Sequence, residues 1–238
     1  DNDGDALNAG DLYFNTTSNT LKVYNGSSWQ DAALSASDFV STSEFKNQGT
    51  NFTNSLIVGH STTGTLNTAE FNTAVGKNSL KSVTTADFNA FVGYDSAQAI
   101  TSGGYSVALG ANSLRTATGA NFNSAIGYDS LRNATGSGNS GLGKDAGKSI
   151  STGENNLCLG FGAGDNLTSG SGNVIIGSLD ADSATASRQL KIAGYDGSTT
   201  TTWIDGSSDG VVTLNAANVS QQALTSSSNA VAWDASAK

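Results

Sequence analysis

The chain has 238 residues, enough for one or two domains of ordinary size, and a formal net charge of −9 from 20 acidic and 11 basic residues. An acidic chain whose few cations are spread thinly works against holding a phosphate backbone, so nucleic acid is excluded as an expected partner. Twenty-nine glycines, no proline or methionine and only 13% charged residues argue against a compact enzyme. They suit short strands joined by tight turns, because Gly reaches positive φ freely and Asn and Asp tolerate it.

The start, Asp1-Asn2-Asp3-Gly4-Asp5, is the opposite of a signal peptide's basic and then apolar beginning, and no run of about 18 apolar residues follows it. No membrane insertion is expected. The single cysteine, Cys158, has no intrachain partner for a disulfide. The absence of an initial Met and the ending at Ala237-Lys238 lead us to expect a piece of a longer protein.

In chain order, residues 1–35 read as a β-hairpin module: strand Leu12–Asn15, a polar turn at 16–19, strand Thr20–Tyr24, and Trp29 closing the apolar face. Residues 36–53 have no clear period, with Phe39 and Phe45 among Ser, Thr and Asn, and are expected to be a linker or neck. Residues 54–180 form a repeat. An apolar residue followed by glycine recurs at Val58-Gly59, Val75-Gly76, Val92-Gly93, Leu109-Gly110, Ile126-Gly127, Leu142-Gly143, Leu159-Gly160 and Ile176-Gly177. The glycine spacing is 17 throughout except for one interval of 16, explained by a deletion near Ser137-Gly138. Residues 181–215 read as a β-meander, with strands near 189–193, 200–204 and 211–214 and turns at Tyr195-Asp196-Gly197 and Asp209-Gly210. Residues 216–238, with Asn229-Ala230-Val231-Ala232-Trp233-Asp234, read as the start of a further C-terminal domain.

Aligning the coils on their glycine gives each position its own chemistry. Four residues before it stand Ser55, Asn72, Asn89, Ser106, Asn123, Asn139, Asn156 and Asn173, a predicted ladder of stacked amides and hydroxyls. Four and seven residues after it, Leu80 and Val83, Ala97 and Ile100, Leu114 and Ala117, Leu131 and Ala134, and Gly147 and Ile150 are predicted inward positions of a second strand. Lys81, Gln98, Arg115, Arg132 and Lys148 lie between them and are expected to spread into water. Seventeen residues suit one β-turn-β rung of a parallel β-solenoid, and eight rungs at the spacing of hydrogen-bonded strands make a rod about 38 Å long.

The strand before the glycine does not alternate as a strand with one buried face would. Its last residue is always apolar, and so, or small, is the one before: Ile57, Ala74, Phe91, Ala108, Ala125, Gly141, Cys158 and Ile175. One set is expected to fill the coil and the other to face a neighbour. Phe71, Phe88, Tyr105 and Phe122 recur at one place in four consecutive coils, an aromatic stripe that a homotrimer would cover.

The strings Asn72-Thr73-Ala74-Val75-Gly76-Lys77-Asn78-Ser79-Leu80 and Asn123-Ser124-Ala125-Ile126-Gly127-Tyr128-Asp129-Ser130-Leu131 resemble the repeats of phage tail fibres. They also look like a lengthened form of the head repeat of trimeric autotransporter adhesins, which implies a left-handed parallel β-roll. Residues 10–31 are similar to a hairpin module of phage structural proteins, including fibres of marine cyanophages. The resemblance implies an all-β, trimeric β-solenoid flanked by hairpin and meander modules. Its implied function is a rigid virion shaft, bound to tail or baseplate proteins, that presents a tip to a host receptor, a glycan or an outer-membrane protein. A bacterial trimeric surface adhesin is the alternative. An ice-binding solenoid and a glycan-degrading tailspike rank below both.

Side chains capable of chemistry fall into the repeat register. His60, the only histidine, occupies a turn position filled elsewhere by Lys77, Tyr94 or Lys144, is expected to be solvated, and has no nucleophile elbow beside it. Cys158 replaces Ala at a packing position and reads as a buried thiol. Asp95, Asp129 and Asp145 alternate with Asn78 and Asn112 two residues after the glycine, where turn formation accounts for them better than Ca²⁺ does. Gly160-Phe161-Gly162-Ala163-Gly164 is a repeat turn and not a dinucleotide loop, since no helical pattern follows. Thr84, Thr101, Thr118, Thr135, Ser151 and Thr168 form a hydroxyl ladder, but the residues two before them lack the regular pairing of an ice-binding face. The chain is read as a non-enzyme with no catalytic residue, cofactor or metal, and the sequence assigns no receptor-contact residue.

Overall fold

The computed structural model describes residues 8–15, 17, 20–31, 45–47 and 49–215. Phe39 and residues 216–238 lie outside them. Every regular element among the described residues is a strand.

The first three strands, β1 (Leu12–Asn15), β2 (Thr20–Tyr24) and β3 (Trp29–Asp31), form an antiparallel sheet in the order β1-β2-β3. The first two strands have the bounds expected from sequence. Trp29 closes the sheet by adding a third strand, and its ring lies 5.6 Å from Tyr13 and 5.4 Å from Tyr24.

A second sheet of 12 strands holds the repeat. It starts with β4 (Phe45–Asn47), antiparallel to the first coil strand. A separate parallel pair, β5 (Phe52–Thr53) with β7 (Ala69–Glu70), lies beside the first coils. One strand per coil then follows in the long sheet: β6 (Leu56–Val58), β8 (Thr73–Val75), β9 (Ala90–Val92), β10 (Val107–Leu109), β11 (Ser124–Ile126), β12 (Ser140–Leu142), β13 (Leu157–Leu159) and β14 (Val174–Ile176). All pair in parallel and in register, so that Thr73 faces Ala90 and Ala74 faces Phe91. The one-residue deletion leaves this register intact, with Ser124 on Ser140 and Ile126 on Leu142. The sheet continues into β15 (Leu190–Tyr195), parallel to β14, and closes with β16 (Thr200–Gly206) and β17 (Val212–Leu214) as an antiparallel meander.

The expected second strand of each coil is replaced by consecutive turns. In the coils centred on Gly76 through Gly160 the residues two and four after the glycine are both left-handed, as at Asn78 and Leu80 (φ 62° and 58°) or Asp129 and Leu131 (56° and 48°). Two such residues in four cannot lie in an extended strand. The turns still hydrogen-bond from coil to coil, with Ala97 N–H donating to Ser113 at 2.8 Å and Leu114 N–H to Ser130 at 3.2 Å.

The positions predicted to point inward do so. Leu80, Val83, Ile100, Leu114, Leu131 and Ile150 are at most 1% exposed and form a narrow core with Ala74, Phe91, Ala108, Ala125 and Cys158. Volume is exchanged within coils: Phe91 accompanies Ala97, whereas Ala108 accompanies Leu114. Each fully buried Leu, Ile or Phe side chain contributes roughly 1.5–3 kcal/mol.

The predicted amide ladder forms and is fully buried. Asn72 Oδ1 accepts both the N–H and the side-chain amide of Asn89 (3.2 and 3.0 Å), and Asn156 Oδ1 accepts both from Asn173 (2.9 Å each). A second amide hydrogen reaches the far side of the coil, from Asn139 Nδ2 to Gly153 O at 2.9 Å. Gln189 extends the ladder one step beyond the repeat, its N–H donating to Asn173 Oδ1 at 2.8 Å. Buried amides satisfied in this way fix the stacking register, since a slip would strand them.

The aligning glycines are required for two reasons. At Gly110 φ is +139°, and a β carbon would lie 2.4 Å from the carbonyl oxygen of Gly127. A side chain would therefore be strained by the backbone and would collide with the next coil.

Candidate interaction face

Strand alternation splits the apolar residues before the glycine between two surfaces. In β8–β11 and β13 the central residue is buried and both neighbours are exposed. The residue just before each glycine therefore points away from the coil. Val75, Val92, Leu109, Ile126, Leu142 and Leu159 are 36–49% exposed and form a continuous apolar column. Val107 and Leu157 add to it two residues earlier, and Tyr94, Tyr128 and Phe161 two residues later. Neither addition follows from the glycine-anchored alignment alone, and the alternation of the strand would have revealed both.

Beside the column runs the aromatic stripe. Phe71, Phe88, Tyr105 and Phe122 stack with ring centroids 4.7, 5.0 and 5.3 Å apart and planes within 17° of parallel. Their spacing is that of the strands, so the stack is set by the sheet. The rings cover one another's faces and turn their edges outward, with exposure rising from 44% at Phe71 to 63% at Phe122. From strand spacing and rise the whole outward face, polar positions such as Thr73, Ser124 and Ser140 included, spans about 38 Å by 20 Å.

The turns that flank this face are pinned by charge. Asp95 meets Arg115 at 3.4 Å, and Asn78 Nδ2 donates to Asp95 Oδ1 at 2.9 Å. Asp129 lies 3.8 Å from Arg132 and 3.5 Å from Lys148, while Asp145 pairs with Lys144 and with Lys148 at 3.2 Å. Arg115, Arg132 and Lys148, expected to spread into water, instead lie partly buried over the turn carboxylates. Burial alone would push the Asp145 carboxyl up, but the Lys144 and Lys148 ammonium groups beside it outweigh that and hold it below the usual range. Lys144 also lies 5.0 Å from the Phe161 ring centroid and 5.9 Å from that of Tyr128, tying the charged edge to the apolar face.

The remaining candidate groups are engaged in packing or hydrogen bonds. His60 is buried rather than solvated, because the turn folds its ring under the next coil, where Nε2–H donates to Ser79 O at 2.6 Å. Cys158 is buried, and burial pushes its thiol up to about 12, which keeps it protonated at neutral pH. The hydroxyl ladder donates along the rod, from Thr84 to Thr101 O at 2.7 Å and from Thr135 to Ser151 O at 3.0 Å. Among the described residues no group of three or more His, Cys, Asp and Glu side chains is placed to hold a metal ion.

Comparison with protein-family models, curated proteins and solved structures found no match. The face itself is thus the feature from which a function has to be read. It offers what an association surface needs: apolar columns and a charged rim.

Proposed function

We propose that this chain is a shaft segment of a homotrimeric bacteriophage tail fibre, in which the outward face of β6 and β8–β14 is buried against two further copies. The observation that carries this reading is the continuous apolar face. Exposed apolar side chains just before the glycine in six coils, with an aromatic stack over four, are what like copies can bury, and the same surface on every copy suits a symmetric assembly. The repeat strings fit a phage fibre and a bacterial adhesin alike, and the likeness of residues 10–31 to a hairpin module of phage structural proteins supports the phage assignment.

In this role the protein performs no chemistry. Coil-to-coil backbone bonds, the buried amide ladder and the salt-bridged turns stiffen the rod, and association covers what one thin coil leaves open. The shaft holds a receptor-binding tip away from the virion, with tail or baseplate proteins at its other end. Immunogold electron microscopy with antibodies against residues 54–180 tests the assignment on virions and on host cells of the encoding genome. Label along the fibres is expected. Label on the bacterial surface and none on virions would make the chain an adhesin.

A further inference from the structure

Strand β16 departs from regular pairing at one residue. Ile204 pairs with Ile192 and Thr202 with Ala193, so Trp203 is the extra residue of a β-bulge. Bulges re-aim side chains, and here the indole is laid over Gly194. A β carbon at Gly194 would lie 2.5 Å from Cζ2 and 2.6 Å from Cη2 of Trp203, so glycine is what leaves room for the ring. The indole stays 54% exposed, and Tyr195, next along β15, is 52% exposed. The Tyr195 hydroxyl donates to Gly197 O at 2.8 Å, which fixes the phenol over the turn. Asp196 Oδ1 accepts the N–H groups of Ser198 and Thr199 at 2.9 and 2.8 Å and the Ser198 hydroxyl at 3.0 Å, and Oδ2 takes no part in these bonds. Gly194, Tyr195, Asp196, Thr199, Thr201 and Trp203 line an open cleft of about 340 Å³.

We propose that this cleft is a binding subsite for one unit of a neutral saccharide. A pyranose presents a face of C–H bonds, which carry partial positive charge and suit the electron-rich face of an indole or phenol. Around its edge it presents hydroxyl donors, for which the Asp196 carboxylate and the Thr199 and Thr201 hydroxyls are acceptors. The backbone N–H groups of Thr199 and then Ser198 hold the Asp196 carboxyl below its ordinary range, so it is ionised at neutral pH and repels phosphate or carboxylate ligands. The bulge and the turn place the groups before any ligand arrives, so little ordering is lost on binding. A single subsite of this size binds weakly, with a dissociation constant on the order of 1 mM, and several copies in one assembly would raise the avidity. The cleft lies within one chain, so the proposal does not depend on the fibre reading.

Saturation-transfer NMR on the full 238-residue chain tests it, using methyl β-glucoside, methyl β-galactoside and methyl α-mannoside at millimolar concentration. Transfer to the ring C–H protons of at least one glycoside is expected. Binding should fall about tenfold in Trp203→Ala and stay unchanged in Tyr13→Ala, an exposed ring outside the cleft. No transfer to any of the three, equal transfer in Trp203→Ala, or binding of tetramethylammonium in place of the sugars would overturn the proposal. If Trp203→Ala does not fold, Asp196→Asn decides, since an Asn side chain still caps the turn. Weakened binding in that variant supports the subsite, and unchanged binding overturns it.

Discussion

The coils centred on Gly76, Gly93, Gly110 and Gly127 share a backbone with those centred on Gly143, Gly160 and Gly177, yet they fill one strained position differently. Five residues before the glycine, all turn through positive φ: 55–58° at Phe71, Phe88, Tyr105 and Phe122, and 73°, 56° and 67° at Gly138, Asn155 and Gly172. The later coils use residues that favour this conformation, whereas the earlier ones use bulky rings, at a cost of order 1 kcal/mol each. The turn is therefore a demand of the fold, and the ring is not. Three stacked pairs contribute about 0.5–1.5 kcal/mol each, which leaves the stripe close to neutral for a single chain. In the proposed trimer, covering the outer edges of the rings, which are 44–63% exposed, adds to that.

A second left-handed position shows the other outcome. Leu80, Leu114 and Leu131 also have positive φ, where Gly147 and Gly164 stand in later coils. These leucines are buried, and the roughly 1.5–3 kcal/mol gained by each exceeds the strain. The interior thus accounts for its own irregular residues, and under the proposed trimer the exterior ones are accounted for by the neighbouring copies.

The largest expected effect tests what the two sets of coils share. Gly110→Ala and Gly143→Ala each drive a β carbon to 2.4 and 2.3 Å from the next coil's carbonyl oxygen. Each should cost at least about 3 kcal/mol or abolish folding, as read from thermal melting. Unequal losses would show that the two regions do not share one backbone. Next in size is Asn156→Ala. It removes the acceptor of both Asn173 donors and the donor to Gly170 O, which is 2.9 Å away. Denaturant unfolding should show a loss of about 2–4 kcal/mol from the stranded groups, and Asn89→Ala, which strands only the Ser106 N–H and gives up a longer bond of 3.4 Å to Gly103 O, should lose less.

The smallest effect concerns acid. Asp145 has a folded pKa below its unfolded value. Its contribution is thus fully present above the unfolded pKa and is lost as pH falls through the folded one. Asp165 behaves oppositely: burial, and then the neighbouring Asp180, push its carboxyl up, so ionising it opposes folding at neutral pH. In melts at pH 7, Asp145→Asn should lower the midpoint and Asp165→Asn should raise it. In melts across the acid range, Asp145→Asn should flatten the fall in stability. Shifts of the same sign in both variants at pH 7 would contradict the assignment.

Much of this was legible in the sequence because a repeat reports each structural demand several times. The glycine column, the Asn ladder and the inward pairs such as Leu114 and Ala117 could all be read from recurrence. The second strand was misread because Leu and Ala four residues after the glycine look like strand residues. Only the coordinates show them to be left-handed. Arg115 and Lys148 were placed in water because a linear sequence does not reveal a carboxylate one coil away. Trp203 lies outside the repeat, in a bulge that pairing alone defines, so no recurrence marked it.

Whether the outward face is buried between like copies is tested most directly by light scattering of the full chain beside a variant carrying Phe71→Asn, Phe88→Asn, Tyr105→Asn and Phe122→Asn. The wild-type chain should show three times the 24.0 kDa of one chain. The variant, relieved of backbone strain, should keep its melting temperature at equal subunit concentration or lose no more than the association contributed, and should shift towards single chains. A wild-type mass of 24.0 kDa would contradict the account.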